Sequence, residues 1–416
     1  MLHRITRRAA WRTIVGLVSS LLVTALVLAP SAEADSAPGV APPLGGHPHQ
    51  VVTWGASADR TSGSVAGQTV RNIVHTSVAG RNLRVSLSNV FGTAPVTFDA
   101  VYVGTQSQGA AVVPGSNRQL TFSGRPSVTV PPGAEILSDP LTGAVPAGQT
   151  LAVSVHTTGD PGTVTGHNVA NQISFVAPTG DHASAEGAAS YTNTTSHWYW
   201  IDGLVVDEPQ QIETVATFGD SITDGNHSTT SANRRWPDFL ARRMLAQPMP
   251  HRFGVMNEGI SGNKVLADGS GVSALARFDR DVLAQPGVET VVVLEGINDI
   301  RHRTATSPED LIHAYQRLIA RAHADGVCVV GGTLTPWEGG SLYSIDRNEI
   351  RVAVNQWIRT SGAFDAVVDF DKVTRDPADP ARFLPAYDSG DHLHPGDAGY
   401  EAMANAVQLA ELECDR

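Results

Sequence analysis

Between residues 50 and 207, apolar residues recur at every second position in short runs. Among these runs are Leu83-Val85-Leu87, Val96-Phe98, Val101-Val103 and Leu151-Val153-Val155, with Gly, Pro, Asn and Ser between them. Successive side chains leave a strand on opposite faces, so this period of two marks half-buried strands. Many short strands separated by turn residues predict an all-β sandwich. From about residue 211 the rhythm changes to apolar runs alternating with longer amphipathic segments, the pattern of βαβ units around a parallel sheet. Strands are predicted at 214–218, 253–257, 290–294, 327–334 and 366–370, with helices between them. The best-marked helix start is Ser307-Pro308-Glu309-Asp310, where an N-cap serine, an N1 proline and an acidic N3 residue precede the periodic run 311–324.

The 416 residues, 41% of them hydrophobic, suffice for two domains, and the 40 Gly and 25 Pro fit a turn-rich first half. At the N-terminus, Arg4, Arg7, Arg8 and Arg12 precede the apolar run 13–28, and Ala32-Glu33-Ala34 offers a small-x-small cleavage site. This pattern predicts a signal peptide over 1–34 and export from the cell, with no stable membrane insertion after cleavage. Residues 35–47, rich in Pro, Gly and Ala, read as a linker. The expected organisation is therefore signal peptide 1–34, linker 35–47, β-sandwich domain 48–207 and α/β domain 211–416. Loss of the signal segment, with four arginines and one glutamate, moves the net charge from −12 to −15. That balance argues against nucleic acid as a partner, since binding it draws on clustered positive charge. Two cysteines, Cys328 and Cys414, exclude a disulfide-dense scaffold and a cysteine-rich metal centre. They are expected to form one disulfide, because a final helix descending from the carboxyl edge of the sheet would bring Cys414 to the start of the fourth strand.

Four segments carry candidate chemistry. The first predicted α/β strand runs into Gly219-Asp220-Ser221-Ile222-Thr223-Asp224-Gly225, which places a serine at the carboxyl edge where open α/β sheets bind ligands. Gly259-Ile260-Ser261-Gly262-Asn263 follows the second strand, Gly296-Ile297-Asn298-Asp299 follows the third, and Asp391-His392-Leu393-His394-Pro395 lies near the C-terminus. A serine hydroxyl becomes a nucleophile when a neutral imidazole takes its proton, and a carboxylate on the other ring nitrogen holds the needed tautomer. Asp391 and His394 have residue types and a spacing suited to that task. His392 is the competing base, and a His-x-His metal site is disfavoured because no neighbouring Cys or acidic cluster completes a ligand set. Asp224 and Asp299 read as loop or cap residues.

These segments resemble, in order, the sequence blocks of the SGNH hydrolases, the GDSL family of esterases and lipases, over roughly residues 211–416. The resemblance implies a flavodoxin-like three-layer sandwich with five parallel strands. It also implies Ser221 as nucleophile, His394 as base and Asp391 as its orienter. The Ser221 N–H, the Gly262 N–H and the Asn298 side-chain amide would form the oxyanion hole, with Gly259 as the alternative to Gly262. Block one reads Gly-Asp-Ser-Ile where the family name has leucine, an apolar exchange remote from the chemistry.

The function expected is hydrolysis of carboxylic esters through an acyl-serine intermediate, without cofactor, on a small-molecule or polysaccharide ester. A carbohydrate acetylesterase stands first. A lipase or lysophospholipase and a non-catalytic extracellular binding protein are the alternatives. Trp198 and Trp200, two apart, would share one strand face with Tyr199 opposite, either in the sandwich core or stacked on sugar rings. Trp337 is a candidate lining residue of the substrate groove.

Overall fold

In the strand Gly80–Ser88, Leu83, Val85 and Leu87 are at most 3% exposed while Arg84 and Ser86 between them reach the surface, so the alternation in the sequence becomes an inner and an outer face. The computed structural model describes residues 49–61, 65–160, 162–208, 212–248 and 253–414. The expected signal peptide 1–34 and linker 35–47 lie outside the described residues. The first half is built of antiparallel sheets. One has the order His49–Gly55, Ile201–Glu208, Gly80–Ser88, Leu141–Val145. The second is centred on Thr69–His75, Thr150–Thr158 and Val96–Gln108. Leu83, Val85 and Leu87 of the first sheet and Val101, Val103, Val153 and Val155 of the second share one apolar core, which makes the pair a sandwich. A small third sheet pairs Val164–His167 with Trp198–Tyr199 and with Asp59–Thr61.

Val96–Gln108 is a single strand although its apolar pattern reads as two. Its partner register passes from Phe98 to Ala100 over one step, so Asp99 is the extra residue of a β-bulge and the inward face slips by one position. The aromatic run Trp198-Tyr199-Trp200 does not alternate between core and solvent. All three are at most 6% exposed, and Trp200 at φ 68° interrupts the strand. Trp198 meets Trp54 edge-on at 4.9 Å and Trp200 meets Phe98 at 5.7 Å, so none is free to stack on a sugar ring.

The second half holds the parallel strands β1 (Glu213–Gly219), β2 (Phe253–Gly259), β3 (Val288–Leu294), β4 (Cys328–Gly332) and β5 (Ala366–Val368). Their order is β2-β1-β3-β4-β5, the flavodoxin-like arrangement, whose strand order reverses beside β1. Helix α1 (Ser221–Asp224) leaves β1 directly and α2 (Trp236–Leu245) follows. Next come α3 (Ala274–Phe278), α4 (Ile297–Arg301), α5 (Pro308–Ala324), α6 (Ile345–Thr360), α7 (Phe370–Thr374) and α8 (Asp397–Ala406). α2 packs on α8, and α5 packs on α3 and α6, which gives one helical layer on each side of the sheet. Buried on both faces, β1 carries an almost continuous apolar run, and only Glu213 at its start is partly exposed. The start of α5 is the one the sequence marks, with a Ser307/Asp310 capping box.

Two predicted strands end early. Residues 333 and 334 leave the fourth because Asn355 on α6 captures the Leu334 backbone, accepting from its N–H at 2.7 Å and donating to its carbonyl at 2.8 Å. The fifth stops at Val368 because Asp369 caps α7, accepting from the Lys372 N–H, so Phe370 opens a helix instead of closing a strand.

The antiparallel region docks on the outer edge of β2. Ala56 bridges Asn257 in parallel register, the Val255 N–H donates to Ser77 Oγ at 2.9 Å, and the Val52 N–H donates to Thr214 Oγ1 at 3.0 Å. A Cβ on Gly254 would lie 2.2 Å from the Val52 carbonyl, so this approach requires glycine. Val52 and Val205 belong to the same buried cluster as Val215 and Phe253.

Cys328, at the start of β4, is paired with Cys414, with α-carbons 6.3 Å apart. The bridge closes a loop of 86 residues and is expected to stabilise the fold by about 2–4 kcal/mol. In the unreduced, denatured protein we expect no alkylatable thiol by intact mass, and Cys414→Ser should lower Tm. Two alkylatable thiols before reduction would contradict this pairing.

Candidate active site

Ser221 sits where β1 gives way to α1, at the carboxyl edge of the sheet. Asp220 caps that turn, its carboxylate accepting from the Ile222 N–H at 2.9 Å. As the first helical residue, Ser221 has no intrahelical acceptor for its own N–H, and none among the described residues takes that proton. Its side chain faces His394, with 2.8 Å between Ser221 Oγ and His394 Nε2. On the other side of the ring, His394 Nδ1 lies 2.6 Å from Asp391 Oδ2. Asp391 Oδ1 accepts from the backbone N–H groups of Leu393 at 2.9 Å and His394 at 2.8 Å, so the tight Asp-x-x-His turn holds the carboxylate in place. An ionised carboxylate only accepts, so Nδ1 carries the proton and Nε2 is left to accept from the serine hydroxyl. Partial burial would raise the Asp391 pKa. The hydrogen bonds from the His394 ring and from the two amides outweigh it and hold the carboxyl well below the usual carboxylate range.

The loop after β2 comes beside this group. Within it the Ser261 N–H donates to Asp224 Oδ2 and the Asn263 N–H to the Ile260 carbonyl, while the Gly262 N–H has no acceptor among the described residues. Gly262 holds φ 81°, a conformation that suits glycine. The N–H of Gly259, the other candidate, already donates to Asn257 Oδ1 at 3.0 Å. Asn298, on α4 and 2% exposed, donates from Nδ2 to the Asn263 carbonyl at 3.0 Å, with Asp220 Oδ2 further off at 3.4 Å. Arg301, one turn along α4, donates to Asn298 Oδ1 at 2.8 Å. Because a guanidinium only donates, Arg301 fixes which way the amide faces and leaves its NH2 on the side of the Asn263 carbonyl and Asp220. Asp299 accepts from the Val265 and Leu266 N–H groups at 2.7 and 3.0 Å, pinning the same loop from the other end. The structure therefore brings Ser221, His394, Asp391, Gly262 and Asn298 to one edge, while Cys328 and Cys414 are bonded elsewhere.

His392 points away, its Nδ1 paired with Asp388 Oδ2 at 2.5 Å and its side chain half exposed. Trp337 is fully buried against Tyr343, which removes it from the groove the sequence suggested.

Three residues escape sequence reasoning. His227 stacks on His394 with ring centroids 5.3 Å apart, and its Nε2 is 3.3 Å from Asp391 Oδ2. His227, Asp391 and His394 offer ligand atoms within 4.8 Å of one another. Both nitrogens of His394 are already engaged, so ligation of a cation there would break its bond to Ser221 or to Asp391. Arg301 could have been suspected from its position three residues after Asn298, the spacing that puts helical neighbours on one face. His167, from the antiparallel region, bonds Asp224 at 3.0 Å and had no local signal.

The family model described as GDSL-like lipase/acylhydrolase matches residues 217–402. A search of curated proteins found no match. Among solved structures, the lipase/acylhydrolase from Enterococcus faecalis is 20% identical, with a TM-score of 0.39, over 49% of this chain and 100% of that one. A carbohydrate acetylesterase family member from Sinorhizobium meliloti is 16% identical, with a TM-score of 0.38, over 47% of this chain and 95% of its own. No helix among the described residues is long and apolar enough to cross a membrane.

Proposed function

We propose that this chain, whose residues 217–402 match the GDSL-like lipase/acylhydrolase model, hydrolyses carboxylic esters through an acyl enzyme on Ser221, with His394 as base and Asp391 as its orienter. The observation that carries this reading is the relay from Ser221 Oγ to His394 to Asp391, at 2.8 and 2.6 Å, beside two unengaged backbone N–H groups and an oriented Asn298 amide.

His394 Nε2 takes the Ser221 proton as Oγ bonds to the ester carbonyl carbon, and Asp391 stabilises the imidazolium so formed. The carbonyl oxygen becomes an oxyanion and is met by the N–H groups of Ser221 and Gly262 and by Asn298 Nδ2. Such donors contribute most to the barrier because they stand in place before charge develops. Collapse expels the alcohol, which receives the proton from Nε2 and leaves an acyl-serine. Water, deprotonated by the same nitrogen, then attacks the acyl carbon and releases the acid and the free serine.

For the substrate we propose a short acyl group on a hydroxyl-rich alcohol, an acetylated carbohydrate. A cleft of about 360 Å³ beside the Gly262 loop supports this, since Asp59, Arg60, Asn168, Ser261 and Ser270 line it and its apolar side chains are limited to Val169 and Ile260. We also propose that the protein works outside the cell, which rests on the signal pattern of residues 1–34 and fits a disulfide-bonded chain. A series of p-nitrophenyl esters of increasing chain length, run beside acetylated xylan, tests the substrate class. We expect kcat/KM to be highest for acetyl and acetate to be released from the polysaccharide. A gain with each added methylene, up to about 1–3 kcal/mol in a hydrophobic pocket, would mean a lipase instead.

A further inference from the structure

His167 lies at the end of Val164–His167, 3% exposed, with both ring nitrogens committed. Nδ1 is 3.0 Å from the Ser57 carbonyl, and Nε2 is 3.0 Å from Asp224 Oδ1 and 3.2 Å from the Val169 carbonyl. Every one of these partners can only accept. A neutral imidazole has one N–H, so it would set a lone pair against a carbonyl or a carboxylate, and only the doubly protonated ring satisfies the site. Asp224 is equally committed. Its other oxygen accepts from the Ser261 N–H at 3.0 Å and from Ser261 Oγ at 2.6 Å. It is also the last residue of the short helix that begins at Ser221.

We propose that His167 is a positioning residue for ester hydrolysis, acting as an imidazolium that fixes the Asp224 carboxylate and, through Ser261, sets the Gly262 N–H against Ser221. The role rests on the ester-hydrolase reading of Ser221 and Gly262. It makes the antiparallel region a supplier of catalytic geometry rather than a separable accessory module. Without the ring, Asp224 Oδ1 would lose its partner in a site 3% exposed, and an uncompensated buried carboxylate turns or takes up a proton. Either response loosens the Ser261 contacts that hold the adjacent glycine.

Asp224 faces the ring from α1, Asp59 and Arg60 lie on the paired strand, and Arg235 stands across the Trp198 ring that packs on His167. On the other side Ser57, whose carbonyl meets the ring, is bonded through its hydroxyl to Glu258, Asp281 and Arg277. Burial opposes the positive charge, but the Asp224 carboxylate and the two carbonyls outweigh it and raise the pKa from 6.5 to about 9. A folded-state pKa above the unfolded one means the stabilisation is complete below about 6.5 and is lost as pH rises through about 9.

Steady-state kinetics on p-nitrophenyl acetate from about pH 6 to about pH 10, with thermal unfolding in parallel, test this on wild type, His167→Gln and Ser261→Ala. In wild type, kcat should fall as pH passes about 9 while KM stays nearly constant. His167→Gln should lower kcat at neutral pH roughly 10- to 100-fold, less than the loss of a whole oxyanion donor, and should lack the alkaline fall. Ser261→Ala should lower kcat in the same way, and the double variant should be no worse than the weaker single, as coupled residues on one path require. Variants with wild-type kcat and an unchanged alkaline limb would overturn the proposal, even if they unfold at lower temperature. If His167→Gln fails to fold, Ser261→Ala and the wild-type pH profile decide in the same terms. Wild type without any esterase activity would instead defeat the underlying reading.

Discussion

Ser221→Ala is expected to lower kcat for an acetyl ester by about 10⁶-fold, the order seen when the nucleophile of another serine hydrolase is removed. The fold should be unaffected. The change deletes one oxygen from a residue 6% exposed whose hydroxyl, among the described residues, bonds only His394. KM should move little, because Gly262 and Asn298 are untouched. The residual rate should still exceed the uncatalysed one, since the oxyanion donors act without the nucleophile. Circular dichroism and Tm beside the kinetics check the fold, and a variant with a rate near wild type would remove Ser221 from the mechanism.

His394→Ala is expected to cost as much kcat as Ser221→Ala, whereas His392→Ala should retain most of the wild-type rate. The two histidines differ by two positions and by opposite engagements. Nε2 of His394 meets the serine hydroxyl, while His392 is turned outward at φ 62° onto Asp388. Residues that act as one unit fail together, so the losses at Ser221 and His394 should not add in the double variant. Asp391→Asn should fall between the two histidine variants. It keeps the shape of the turn but favours the wrong tautomer, a change worth roughly 10⁴ in kcat where the same triad has been measured. Steady-state kinetics on one ester across the four single variants and the double variant gives the comparison, and equal severe losses at both histidines would mean that the base is misassigned or that a metal is bound.

Legibility in the sequence followed the range of the interactions involved. Leu83-Val85-Leu87 and Leu151-Val153-Val155 revealed their strands because a sheet with one buried face prints its period directly on the chain. Val96–Gln108 looked like two strands because Asp99, the bulged residue, breaks that period while the backbone pairing continues. The five parallel strands were visible as apolar runs, but two of their ends were set by side chains, Asn355 and Asp369, whose reach depends on tertiary packing. Ser221, Asn298, Asp391 and His394 stood out because each lies in a short motif after a strand or before the last helix. Gly262 is the better match on paper with Gly259 as the alternative, and the hydrogen-bond partners of their N–H groups separate them. His167 could not be read at all. It lies 57 residues from Asp224, in a strand of the other region, and nothing local distinguishes it from a core histidine.

Ester hydrolysis by this chain requires Ser221 to be the activated nucleophile. Treating the protein with a fluorophosphonate and locating the adduct by peptide mass spectrometry tests that most directly, because the reagent needs both a serine that its neighbours deprotonate and donors for the phosphonyl oxygen. The expected result is one adduct per chain, on Ser221, absent from Ser221→Ala and strongly slowed in His394→Ala. An adduct on another serine, or none on a folded protein, would contradict the account.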